Sequence, residues 1–514
     1  MNRYGRREFL VDVGRGMLVA SVGSTLAQDL GLAPAALADE SKGHLTFGAL
    51  EPLVDLMQDT PADRLLPAVL DRMRAGTDLR ELVAAAALAN ARAFGGQDYD
   101  GYHALMALAP AYHMSKELPE NRRALPVLKV LYRNTNHMQQ SGGCDHETLH
   151  PIEADSSRGN KPSPEALRDL ARRQDMAGTE RAFASLARGP LDEAYNDLQY
   201  LVQDNTNVHR VVLAWRSWAL LDLTGKEHAH TMLRQSVRFC VDEEANVRKY
   251  KTADALRPLL PKLLDQYKLV DRAPGDRRPD DAWIDRMAMT IYSSDRSRAA
   301  DAVAAALAEG IAPEAVGEAI SLAANQLVLH DPGRKKDEPG KPRGSVHGAS
   351  VGVHASDAAN AWRNISRVSN RRNAVASLIV GAYHTAGQTG GLNPQPYPLA
   401  EHRESVRDVA PGALLDEARK AIEANDKARA CALIHRHGEV GGAERPAFDL
   451  LLGYAISEDG ALHAEKYYRT VTEEFATTRP AFRWRHLAGL ARVTASEHGH
   501  PAPGVADAKR LLGV

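Results

Sequence analysis

Apolar positions along this chain recur mostly at helical spacing. The stretch LRELVAAAALANARAF, Leu79 to Phe94, is apolar nearly all round and predicts a buried helix. SPEALRDLARR predicts a helix start at Ser163, with the serine as N-cap and Pro164 at the first helical position. Pro313 to His330 opens in the same way, with proline first. No series of alternating positions predicts strands. The expected fold class is all-α, with polar breaks rich in Pro or Gly at 151–163, 271–281, 331–345 and 387–403. The segment DPGRKKDEPGKPRGS in the third break reads as a solvated loop.

Two comparisons within the chain predict a tandem duplication. GYHALMALAPAY, from Gly101, lies over GVHASDAANAWR, from Gly352, and pairs His103 with His354. HAHTMLRQSVRF, from His228, lies over HAEKYYRTVTEE, from His463, with Arg234 over Arg469. The separations are comparable, 228 − 103 = 125 and 463 − 354 = 109. The expected organisation is two duplicated multi-helix halves packed together, 39–270 and 271–514, with a site between them.

Residues 1–38 read as an address. Arg6 and Arg7 precede Phe9 and Leu10, a weakly apolar run follows, and Ala36-Leu37-Ala38 is a small-x-small site. This resembles a twin-arginine (Tat) export signal cleaved after Ala38. The resemblance implies the Tat translocase as a partner and a periplasmic or extracellular location. It also implies a cargo that folds, often with its cofactor, before it crosses. Asp12 and Arg15 interrupt the apolar run, so no stable membrane anchor is expected.

Composition adds one positive signal. Among 514 residues there are 20 His, against 8 Phe and 5 Trp. The net charge of −2 argues against nucleic acid as a partner. Cys144, Cys240 and Cys431 form neither a disulfide framework nor a C-x-x-C pair. No G-x-G-x-x-G follows a strand, and the chain has no P-loop and no G-x-S-x-G elbow.

Neutral imidazoles with few carboxylates suit Fe, Cu or Zn, with haem as a further possibility for a His-rich helical protein. His103 is the first candidate ligand, paired in the repeat with His354. His209 sits in an apolar helix with Trp215 and Trp218. His228 is favoured over His230 because the repeat retains it as His463. His347 and His354 are seven residues apart, two turns if helical. Gly348 and Gly352 weaken a helix there, so it is expected to begin near His354, leaving His347 as an accessory loop residue. His146-Glu147-Thr148-Leu149-His150 spells H-E-x-x-H, the zinc-protease pattern in which both His bind the ion from one helix face. Pro151 disfavours helical geometry at His150, so a loop site using Cys144, His146 and His150 is the alternative.

The segments YHALMALAPAYH, VHRVVLAWRSW and VHGASVGVHASDAANAWR resemble the questin oxidase-like family. That family is all-helical and His-rich, and some members catalyse Baeyer–Villiger-type oxygenation. The resemblance implies that His103, His209 and His354 converge near a shared pocket. The expected function is therefore an exported, metal-dependent, oxygenase-like oxidoreductase acting on a small molecule. His103, His209 and His354 would be ligands, with His347 or His228 completing the set. The competing expectations are a zinc hydrolase using 146–150 and a non-catalytic helical protein that binds metal, haem or a partner.

Overall fold

The computed structural model describes residues 45–154, 161–337, 343–348 and 350–514. The expected export signal lies outside them. Among the described residues there are 23 α-helices and no strand, only two isolated bridges. The protein is all-α. No described helix is long and apolar enough to cross a membrane.

Ten helices build and brace the centre. In chain order they are α1 (Leu79–Phe94), α2 (Tyr99–Ser115), α3 (Leu125–Gln140), α4 (Val208–Thr224), α5 (Ala229–Tyr250), α6 (Pro313–Leu329), α7 (Val351–Val368), α8 (Arg371–Thr385), α9 (His463–Thr477) and α10 (Trp484–Glu497). Local chemistry fixes their starts. Asp78 and Glu81 form a capping box at α1. The side chains of Asp98, Asn207 and Ser350 accept backbone N–H groups at the first turns of α2, α4 and α7. Ser163 caps the helix that begins at Pro164, as its sequence predicts. The helix of α7 begins at Val351, so His347 lies outside it and His354 in its first turn.

Helices α2, α4, α7 and α9 pack side by side in a closed ring: α2 on α4, α4 on α7, α7 on α9 and α9 on α2. Cross-contacts climb both helices of the α7–α9 pair together. His354 meets His463, then Asp357 meets Thr470, then Asn360 meets Glu474. The two helices are therefore parallel. Around the ring, α1 packs on α2 and α4, α3 on α2, α6 and α8 on α7, α5 on α4, and α10 on α9.

Two glycines set how closely the sheath approaches. A Cβ on Gly352 would lie 2.5 Å from the backbone nitrogen of Val328 in α6. A Cβ on Gly101 would lie 2.5 Å from the ring of Phe94 at the end of α1. The G-x-H pattern shared by the two segments is thus a packing device, in which glycine lets a neighbouring helix close against the first turn.

A buried ring of four histidines

Each helix of the central ring carries a histidine near its N-terminus: His103 on α2, His209 on α4, His354 on α7 and His463 on α9. Ring centroids are 4.7 Å apart for His103–His209, 5.7 Å for His209–His354, 5.3 Å for His354–His463 and 5.0 Å for His463–His103. The imidazoles form a closed circuit in the same order as the helices.

Backbone carbonyls fix two tautomers. A carbonyl only accepts, so His103 Nδ1 donates to Tyr99 O at 2.7 Å, and His463 Nδ1 donates to Ala461 O at 3.1 Å. Both rings then present an Nε2 lone pair to the centre. His463 Nε2 lies 3.2 Å from His354 Nε2. The Nε2 atoms of His103 and His209 are buried and have no hydrogen-bond partner. All four rings are held neutral. Burial, and then the charge of Lys466, pushes His103 down to about 2, His209 to about 3 and His354 to about 4, and His463 also well below the usual range.

The layer one turn deeper differs from side to side. Three residues beyond His103 and His209 stand Met106 and Val212; beyond His354 and His463 stand Asp357 and Lys466. Lys466 is buried; burial lowers it to about 8, against the opposing pull of the Asp357 and Glu465 carboxylates. Asp357, also buried, accepts from Thr470 Oγ1 at 2.8 Å, and burial raises it. Deeper still, buried Arg216 has Glu473 at 3.8 Å as its nearest carboxylate. At the other end of the ring Tyr99, the first residue of α2, is 55% exposed, and Val351, the first of α7, is 50% exposed. The Tyr99 ring lies 4.3 Å from His103.

His103, His209 and His354 therefore lie together, and the remaining candidates lie elsewhere. His347 is in the loop before α7, where Arg334 Nη2 donates to its Nε2 at 2.6 Å. His228 ends a short 3₁₀ turn and packs edge-on to Phe47 at 5.7 Å. The H-E-x-x-H segment is not a helix. A 3₁₀ turn ends at His146, and Glu147 is extended, so His146 and His150 share no helix face. Glu147 is occupied by the Arg92 guanidinium at 3.0 Å and by Gln58. Among the described residues, no group of three or more His, Cys, Asp or Glu side chains is placed so that it could hold a metal ion.

His463 was not among the sequence candidates. The His-Ala dipeptide drew the comparison to His228, but spacing is the better guide. His103 to His209 is 209 − 103 = 106 residues, and His354 to His463 is 463 − 354 = 109. Lys466 gave no sequence signal, since an isolated lysine on a helix usually reads as surface.

Fold and site together define an all-α protein with a buried ring of neutral imidazoles. No protein-family model, curated protein or solved structure matches the chain.

Proposed function

We propose that the protein is an exported oxidoreductase that uses a transition-metal ion held by His103, His209, His354 and His463. The observation that carries this reading is the convergence of four neutral imidazoles, two of them with buried, unpartnered Nε2 atoms. The donor chemistry fits. Two nitrogens bound to one tetrahedral ion at zinc-like distances lie about 3.3 Å apart, and His354 and His463 Nε2 stand 3.2 Å apart. Donation of Nδ1–H to a backbone carbonyl, as in His103 and His463, is how ligating histidines are commonly oriented. An all-nitrogen set suits Fe, Cu or Zn. A porphyrin is too wide for rings about 5 Å apart, so haem is set aside.

Once bound, such an ion supplies Lewis-acid or redox chemistry. The chain's own residues do the rest. Tyr99 O and Ala461 O fix the rings, the half-exposed Tyr99 ring lies against His103 and His209, and the layer at Lys466 and Asp357 closes the site from below. The reading includes export through the signal in residues 1–38 and a site between duplicated halves. In that duplication α2 and α4 correspond to α7 and α9, supported by the 106- and 109-residue spacings and by Gly101 and Gly352.

Metal analysis and an absorption spectrum of the full chain, purified after folding in the cytoplasm, test the proposal. Iron or copper near one equivalent is expected, lost in His103→Ala and His354→Ala and retained in His146→Ala. A folded, colourless and metal-free preparation that takes up no added ion would overturn it.

A further inference from the structure

Two of the ring histidines fix their tautomers on backbone carbonyls, by different means. His103 lies inside α2 and donates to Tyr99 O, a carbonyl of its own first turn. His463 is the first residue of α9, so no turn of that helix stands behind it to offer a carbonyl. The chain before it supplies one by curling back. Ala461 and Leu462 take φ of +47° and +65°, in the left-handed region, and Ala461 O stands 3.1 Å from His463 Nδ1. Residues with a Cβ resist that conformation, and two in succession persist only where the surroundings hold them.

The hold comes from α3, where Lys129 and Arg133 stand four residues apart on one face. Lys129 is buried. Its Nζ donates to Ala455 O at 2.9 Å and to Glu458 O at 2.8 Å, and pairs with Glu465 Oε1 at 2.6 Å. It thus ties the end of the helix Glu444–Ser457 to the first turn of α9. Arg133 Nη2 donates to both carboxylate oxygens of Asp459, and Asp459 Oδ1 accepts the N–H of Ala461 at 3.1 Å. The left-handed pair is therefore bracketed by two cations from α3, and the buried Leu462 side chain anchors it on the apolar side.

We infer that Arg133 is a positioning residue for His463, with Lys129 as its anchor: together they hold the turn Gly460–Leu462 against α3, which keeps His463 Nδ1 on Ala461 O and its Nε2 lone pair toward the ring. When the hold is released the left-handed pair relaxes and Ala461 O withdraws. A neutral imidazole then takes either tautomer, and the Nε2–H form turns a hydrogen toward the ring in place of a lone pair. The inference goes beyond the metal reading, because it concerns the ring with or without an ion.

The test reads the tautomer of His463 by nitrogen NMR at neutral pH, in the full chain carrying labelled histidine and freed of ions by a chelator. His463→Gln assigns its signals. The wild type is expected to show one tautomer, Nδ1–H. Arg133→Gln is expected to lower the ratio of Nδ1–H to Nε2–H by about fivefold or more, the worth of one hydrogen bond. Arg133→Lys, which keeps the charge, is expected to lower it less. Asp459→Asn breaks the same pair while keeping an oxygen for Ala461; it is expected to act as Arg133→Gln does, and it carries the test if that variant does not fold. His103, whose carbonyl lies in its own helix, is the internal control and is expected to keep its tautomer throughout. An unchanged His463 in folded Arg133→Gln or Asp459→Asn protein overturns the inference. So does a change shared equally by His103, which marks a general loosening and not the positioning of one ring.

Discussion

The pair α2 and α4 and the pair α7 and α9 present the same face at the top of the ring and opposite faces one turn below. Each pair contributes two neutral histidines. Beneath them the first pair sets Met106 and Val212, and the second sets Asp357 and Lys466. The first pair is a plain packed wall. The second buries an acid and an amine whose ionised forms both resist burial. The difference teaches that holding the ring and polarising it are separate tasks. The ring needs all four helices, whereas in the layer one turn below it polarity is confined to one pair, and the first pair adds its charge, Arg216 on α4, only deeper still.

The strongest test of that division asks whether both pairs hold the ring equally. His103→Ala and His354→Ala are each expected to lower metal affinity by more than about a hundredfold, measured by competition with a chelator. A loss confined to one pair would break the comparison. Next in size, Asp357→Asn removes one of the two carboxylates that act on Lys466 and one of the two that act on Arg216. It is expected to destabilise the fold by about 2–3 kcal/mol in urea unfolding. Met106→Leu, a volume-conserving change on the plain wall, is expected to cost under about 1.5 kcal/mol.

The glycines give a smaller contrast. Gly352→Ala drives a methyl into the α6 backbone, which does not yield, and is expected to cost about 2 kcal/mol. Gly101→Ala meets the Phe94 side chain, which can turn aside, and is expected to cost about 1 kcal/mol. Equal melting shifts for the two would remove the distinction.

The smallest effect is one of pH, in the bracing of the second pair. Trp362 Nε1 on α7 donates to His384 Nδ1 on α8 at 3.2 Å, which requires an unprotonated Nδ1. Burial, and then the charge of Arg296, pushes His384 down to about 3. The unfolded chain therefore binds the proton first. Stability from the neutral ring is complete above the ordinary value of 6.5 and drains away as pH falls toward 3. Amide exchange in α7 and α8 is expected to quicken over that interval, and His384→Gln, which keeps an acceptor but does not titrate, to flatten the response.

Much of the fold was legible in the sequence because its signals are local. The apolar run at Leu79–Phe94 is α1 to the residue, and Ser163, Pro164 and Pro313 mark the helix starts they predict. The described parts of the breaks at 151–163 and 331–345 fall between helices, whereas 271–281 reaches the first residue of the helix Asp281–Ser293 and 387–403 runs into the short helix Ala400–Ser405. The ring was legible in part. His103, His209 and His354 were singled out, but His463 was assigned to a comparison with His228. Which helix completes a ring is decided by packing across hundreds of residues, and a shared dipeptide carries no information about that. H-E-x-x-H failed as a guide for the opposite reason. Its meaning depends on helical geometry, and Glu147 is held out of any helix by the Arg92 guanidinium, contributed from α1.

The ring joins positions far apart in the chain: 106 residues separate His103 from His209, 109 separate His354 from His463, and 463 − 103 = 360 separate the first from the last. Contacts of such long range form late, after loop closure has been paid for by local structure. The four imidazoles therefore meet only when the central helices are already in place, and a growing or partly folded chain has no ring to offer. An ion bound by all four would act as a seal on the finished fold rather than a nucleus for it. It would slow unfolding far more than it hastens folding.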